Sequence, residues 1–198
     1  MKPAIAFFDF DGTITNKDTL FEIIRFQKGS PALYRGLLRL SPALVLFKLK
    51  LVSNQDMKER VLRFFFKDTT VAQFREQCQA FCRERLPGML RPHAVQAIKS
   101  HLSKGHQVVV VTASAHDWVA PWCKEMGIGC IGSVLEEQGQ RITGNLVGLN
   151  CNGPQKVVRI REQFDLTAFR EVYAYGDSSG DRDMLALAQH PHYKPFRN

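Results

Sequence analysis

"AIAFFDFDGTITNKDTLF", residues 4–21, runs from an unbroken apolar stretch into two carboxylates one residue apart, Asp9 and Asp11. Residues 4–10 have the composition of a strand buried on both faces. A charge left unpaired at the end of such a strand is costly, so Asp9 and Asp11 require a cation or a shared proton. In extended backbone the two side chains project to the same side. Gly12 lets the backbone approach an anion closely, and the Thr13 hydroxyl stands beside it.

Two more apolar runs follow the same design: "QVVVVT" at 107–112 and "VYAYG" at 172–176. Helical periodicity fills roughly 92–104, 116–126, 154–163 and 180–189. Short apolar strands alternating with helices predict a doubly wound, Rossmann-like parallel sheet of the α/β class. Residues 133–148 alternate around Gly139 and predict a hairpin, and 192–194 predict a short edge strand. The stretch 16–86 breaks the alternation, being helical and rich in Phe and Leu without a convincing strand. The expected organisation is therefore a core of residues 1–15 and 87–198 with a small helical cap, 16–86, inserted after the first strand.

Ligands of open α/β sheets bind beyond the carboxyl ends of the strands. The first run ends in Asp9 and Asp11, the second in Thr112, Ala113 and Ser114, the third in Asp177 with Asp181 four residues on. Brought together by a parallel sheet, Asp9, Asp11 and Asp177 make an all-oxygen site that fits Mg²⁺, with Asp181 ligating directly or through water. Thr112 offers a hydroxyl to a phosphate oxygen or caps the helix that follows. Lys156, at the start of a helix, reads alone as a surface lysine and beside these motifs as a point charge for phosphate.

These motifs resemble, residue by residue, those of the haloacid dehalogenase superfamily. "DFDGT" at Asp9–Thr13 is similar to its first motif, Thr112 to its second, Lys156 to its third and "GDSSGDRDML" from Gly176 to its fourth. The order matches and the resemblance spans nearly the whole chain. A helical insertion between the first two motifs resembles the subclass that holds phosphoserine phosphatases and C-type phosphatidylglycerophosphatases. The resemblance implies a phosphomonoesterase in which Asp9 attacks phosphorus and Asp11 moves the proton. Mg²⁺ would be held by the Asp9 carboxylate, the Asp11 carbonyl and Asp177, with Asp181 in support. Gly12, Thr112, Ala113 and Lys156 would bind phosphate. It also aligns Asp18 with a glutamate that holds a substrate amine and Arg60 with an arginine that holds a substrate carboxylate. Asp18 reads equally as a helix N-cap and Arg60 as a solvated helix charge. Gly180 departs from the asparagine common in phosphoserine phosphatases.

The 198 residues carry a formal charge of +8, which favours an anionic partner. No Lys/Arg run of nucleic-acid type is present, so a small or lipid phosphomonoester is expected and nucleic acid is not. No obligate protein partner is evident. Five cysteines without C-x-x-C spacing, Cys78 and Cys82 on one helix face among them, predict packing residues of a reducing compartment. The N-terminus enters a strand without a signal-like leader, so cytoplasmic residence is expected. Residues 30–53 are apolar with Arg35, Arg39, Lys48 and Lys50 spaced through them. They either pack the cap core or rest peripherally on the inner face of an anionic bilayer. Trp118 and Trp122 are expected in the core, and His190 and His192 at the surface. A phosphotransferase or mutase of the same fold, and a non-catalytic binding domain, are the competing readings.

Overall fold

The computed structural model describes residues 2–197. A five-stranded sheet lies at its centre: β1 (Ala4–Phe8), β2 (Gln107–Ala115), β3 (Gly129–Ser133), β6 (Glu171–Gly176) and β7 (His190–Tyr193). The strand order is β3-β2-β1-β6-β7, with every neighbouring pair parallel. This is the doubly wound α/β sheet the sequence predicts. The central strands are apolar throughout because both faces are covered. Even positions Ala6, Phe8, Val108 and Val110 join one hydrophobic layer. Odd positions Ile5, Phe7, Val109 and Val111 join the other. Helices α5 (Pro92–Ser103) and α6 (Ala120–Glu125) cover the first face through Ala94, Ile98 and Trp122. Helices α7 (Pro154–Gln163) and α8 (Arg182–Ala186) cover the second through Ile160 and Met184.

The segment after β1 is helical as expected: α1 (Thr19–Lys28), α2 (Ser30–Lys48), α3 (Asn54–Phe66) and α4 (Val71–Glu84). Its apolar face is continuous with the even-residue layer of the sheet, since Phe10, Ile14, Phe66, Phe74 and Phe81 belong to one cluster with Phe8. Cys78 and Cys82 are buried there, and all five cysteines are free thiols. Trp118 and Trp122 are core residues.

Five details differ from the sequence reading. The first strand stops at Phe8, and residues 10–14 wind into a tight turn closed by the Thr15 N–H donating to the Phe10 carbonyl at 2.9 Å. Asp11 itself keeps extended dihedrals, φ −74° and ψ 120°, and the chain turns at Gly12, φ 84°. The second strand continues past Thr112 to Ala115, and β3 is a strand the periodicity did not reveal. The helix expected over 180–189 is a single 3₁₀ turn followed by the short α8. The hairpin of β4 (Leu135–Gln138) and β5 (Arg141–Leu146) forms as expected around Gly139 and Gln140, both with positive φ. It is hydrogen-bonded to the α3–α4 connection, however. The Asp68 N–H donates to the Ile142 carbonyl, Ile142 N–H to Thr69 and Val71 N–H to Gln140, each at 2.9 Å. In space the hairpin extends the cap, although in sequence it lies within the core segment.

Candidate active site

The carboxyl ends of β1, β2 and β6 deliver the motif residues to one place. Asp9 follows β1, with its N–H donating to the Tyr175 carbonyl at 2.9 Å. From α7, Lys156 enters beneath it, 1% exposed, and donates to Asp9 Oδ1 at 2.5 Å, Asp181 Oδ1 at 2.7 Å and the Val111 carbonyl at 2.7 Å. One ammonium has three donors, so all are used. Burial opposes the Lys156 charge, but Asp9 and Asp181 outweigh it and hold its pKa above the ordinary lysine range. Burial pushes Asp9 up to about 7, against the pull of Lys156.

Asp181 organises the loop after β6. Its Oδ2 accepts from the N–H groups of Asp177 (3.1 Å) and Ser178 (2.9 Å) and from the Ser178 hydroxyl (2.8 Å). The Ser178 hydroxyl in turn accepts from the Gly180 N–H at 3.2 Å. Although burial raises it, Lys156 and these donors hold its pKa below the ordinary aspartate range. Asp177 accepts from the Thr13 hydroxyl at 3.2 Å and pairs with the Arg197 guanidinium. Gly12, at φ 84°, passes so close that a Cβ there would sit 2.6 Å from Asp177 Oδ2. At Gly180 a Cβ would collide with the Asn152 side chain. The missing side chain of the fourth motif is thus replaced in space by an amide from the loop before α7.

Asp9, Asp177 and Asp181 are buried, and each presents a carboxylate oxygen within 4.8 Å of the others. Three buried anions with only oxygen donors match a hard divalent cation such as Mg²⁺. Both Asp181 oxygens are committed to Lys156 and the loop, and both Asp177 oxygens to Thr13 and Arg197, so a cation at this cluster would share or displace those donors.

The Asp11 carboxylate faces the cap instead. It accepts from the Thr19 N–H at 2.7 Å and from the Ser114 hydroxyl at 2.6 Å. Any metal contact from this residue would fall to its main-chain carbonyl. Thr19 is held by Ser114 Oγ at 3.0 Å and by the Trp118 ring N–H at 3.2 Å. Thr112 is buried, and its hydroxyl accepts the Ser114 N–H at 2.9 Å, which shapes the irregular end of β2 that carries Ala113.

Between this floor and the cap lies a cleft of about 330 Å³. Asp11, Asp18, Lys58 and Ser114 give it polar groups, and Phe21, Leu44, Phe47, Met57 and Val61 line the rest. Asp18 caps α1 by accepting the Leu20 N–H at 2.9 Å. Its side chain still reaches solvent at the cleft mouth, but crowding by neighbouring atoms and the Asp11 charge push its pKa up to about 6. Arg60 is not among the cleft residues: it is exposed on the outer side of α3, beside Leu40, Arg63, Phe64 and Lys67. The cap cation in the cleft is Lys58, two residues earlier and so about 200° around the helix. It donates to the Ala113 carbonyl and to Asn150 Oδ1 at 2.9 Å. Burial lowers its pKa to about 8 despite nearby Asp11. The sequence reading missed Lys58 and Asn150. The available signal was helical phase, since Met57, Val61 and Leu62 fix the buried side of α3 and Lys58 borders it. A larger hollow of about 560 Å³ between α4 and α6 holds none of the motif residues.

Parallel strand ends, an inserted cap and a buried Asp–Lys–Asp cluster define a class, and comparison with known sequences agrees. Residues 6–186 match the model of the haloacid dehalogenase-like hydrolases, so the chain belongs to that family and is a hydrolase of it. Protein CicA of Caulobacter vibrioides is 39% identical over 198 residues, 99% of this chain and 88% of its own. Phosphoserine phosphatase SerB1 of Mycobacterium tuberculosis is 28% identical over 93% of this chain, which spans 62% of that longer protein. Among solved structures, a protein of unknown function from Bordetella pertussis Tohama I superposes with a TM-score of 0.81 at 23% identity, over 95% of this chain and 88% of that one.

Proposed function

We propose that the protein is a Mg²⁺-dependent phosphomonoesterase that works through an aspartyl-phosphate at Asp9. The observation that carries this reading is the buried cluster of Asp9, Lys156, Asp177 and Asp181 at the strand ends, next to the cleft that Asp11, Ala113 and Ser114 line. Asp9 and Asp177, with the Asp11 carbonyl, would hold Mg²⁺, whose chemistry is to neutralise charge on the phosphate oxygens.

An Asp9 carboxylate oxygen attacks phosphorus, and the bond to the ester oxygen breaks. The Asp11 carboxyl, on the cleft side of the floor, gives its proton to the departing alkoxide. Water entering the cleft then loses its proton to the Asp11 carboxylate and attacks phosphorus. The Asp9–phosphorus bond breaks, and inorganic phosphate and free Asp9 result. Lys156 fixes the Asp9 carboxylate and contributes positive charge, while backbone N–H groups of the Gly12 turn and of Ala113 face the equatorial oxygens. Thr112 sets the strand end at Ala113.

The apolar walls of the cleft and the half-buried Lys58 favour a phosphomonoester with an apolar alcohol, a lipid phosphate head group or a metabolite of that character. The placement of Arg60 outside the cleft disfavours phosphoserine as the substrate. Phosphate release from phosphatidylglycerophosphate micelles, phosphoserine, histidinol phosphate and sugar phosphates, with and without Mg²⁺, tests the reading. Release should require Mg²⁺ and fall at least about 10⁴-fold in Asp9→Asn. Undiminished release in that variant would contradict it.

A further inference from the structure

We propose that the exposed face of α2 and the tip beyond it form a docking surface for an anionic lipid bilayer. Helix α2 is 19 residues long, yet only Leu33 and Gly36 are buried. Tyr34, Leu38 and Val45 stand at i, i+4 and i+11, one stripe of the helix. They are 61%, 76% and 58% exposed. Arg35 and Arg39 occupy the adjoining stripe and are exposed too.

The helix end continues the pattern as Lys48-Leu49-Lys50-Leu51, in which all four residues are exposed. A Schellman turn shapes this tip: Lys50 N–H donates to Phe47 at 2.9 Å and Leu51 N–H to Leu46 at 2.9 Å. Lys50 takes the position with φ 61° that glycine occupies most cheaply. A lysine there places a cation between two exposed leucines.

Charge selects the occupant. Between Glu22 and Asp56 the chain holds six basic residues and no acidic one. An apolar stripe with a cationic margin fits a surface that is apolar within and anionic at its face, which describes an anionic bilayer. No helix among the described residues is long and apolar enough to cross a membrane, so the face lies on the surface. Leu44 and Phe47, from the same helix, line the cleft. Docking therefore sets the cleft mouth beside the lipid head groups. The docking itself is independent of the phosphatase reading, and only delivery of a lipid phosphomonoester to the cleft rests on it.

The test is co-sedimentation of the full chain with vesicles of phosphatidylcholine alone or mixed with phosphatidylglycerol, at low and high salt. Two variants serve: Leu38→Glu/Leu49→Glu/Leu51→Glu, and Arg35→Gln/Arg39→Gln/Lys48→Gln/Lys50→Gln. All of these side chains are exposed, and melting curves with turnover of a soluble phosphate ester check that each variant folds. The parent should partition at least about tenfold more onto anionic vesicles, an excess that salt erases. Each variant should lose at least about tenfold of that binding while keeping turnover of the soluble ester. Equal partitioning onto both vesicle types, or unchanged binding in the charge variant, would overturn the proposal. So would a lipid-free dimer, seen by light scattering, that the leucine variant dissociates, because a second copy would then own the face. If the parent binds vesicles but hydrolyses no ester, docking stands and the catalytic reading fails.

Discussion

A single buried lysine holds the floor of the site together. Lys156 has spent its three donors on Asp9, Asp181 and Val111. Removing it leaves two buried carboxylates uncompensated, and breaking a buried pair in this way costs ~3–5 kcal/mol. Lys156→Met keeps the volume but not the charge. It should lower the unfolding free energy by that amount, read as a lower urea midpoint at unchanged slope, as well as abolish turnover. A midpoint like the parent's would show the cluster to be held by something else. Sequence alone made Lys156 one lysine among many, because "GPQKVVRI" announces the start of a helix but not that the helix carries Lys156 under β1. The acidic motifs were legible for the opposite reason. Asp9 and Asp177 each stand where an apolar run ends, with Asp181 four residues on, and a buried strand tolerates a carboxylate only for a purpose.

At the scale of elements, α3 is the clasp between cap and core. Lys58 reaches the Ala113 carbonyl and Asn150 Oδ1, and Asn150, from the loop before α7, donates to Asn54 Oδ1 of the same helix at 2.8 Å. Ala113 belongs to the end of β2 expected to face phosphate, so Lys58 positions that strand end or the substrate beside it. Lys58→Met should reduce kcat/KM ~10–100-fold, whereas Arg60→Gln should stay within about twofold in the same assay. The reverse ranking would return the cap's recognition role to Arg60. The alignment favoured Arg60 because position in a motif carries no helical phase, and a shift of two residues reverses the face presented. Other elements escaped the sequence for local reasons. The strand β3, "GCIGS", has too few apolar side chains to register as a run. The turn at 10–14 depends on Gly12 adopting positive φ, and a glycine in a sequence is equally compatible with extended backbone. The hairpin was legible from Gly139, but its attachment to the cap was not, since backbone hydrogen bonds to residues 68–71 leave no mark on composition.

Across the whole molecule, acid and metal should act on stability in opposite directions. His101 is buried between α5 and the sheet, bonded to Tyr175 Oη at 3.0 Å and to His106 Nδ1 at 2.8 Å. Burial, then the neighbouring His106 and Lys104, lower its pKa from 6.5 to about 4. The fold thus keeps His101 neutral while the unfolded chain binds a proton below 6.5, so this stability is complete above pH 6.5 and lost as pH falls toward 4. The loss should reach ~2–3 kcal/mol, and His101→Gln should flatten the melting temperature against pH over that window. An unchanged profile would exonerate His101. Mg²⁺ should instead raise the melting temperature by mass action, ~2.7 kcal/mol at a hundredfold excess over Kd, and Asp177→Asn should remove the rise. An equal rise in the variant would place the metal elsewhere. The central claim, that Asp9 carries the phosphoryl group, is tested most directly by chemical trapping. Enzyme quenched during turnover and treated with borohydride would have an aspartyl-phosphate reduced to homoserine, which peptide mass spectrometry locates. The account predicts homoserine at position 9, dependent on both Mg²⁺ and substrate. Active enzyme with residue 9 unmodified, or with the conversion at another carboxylate, would contradict it.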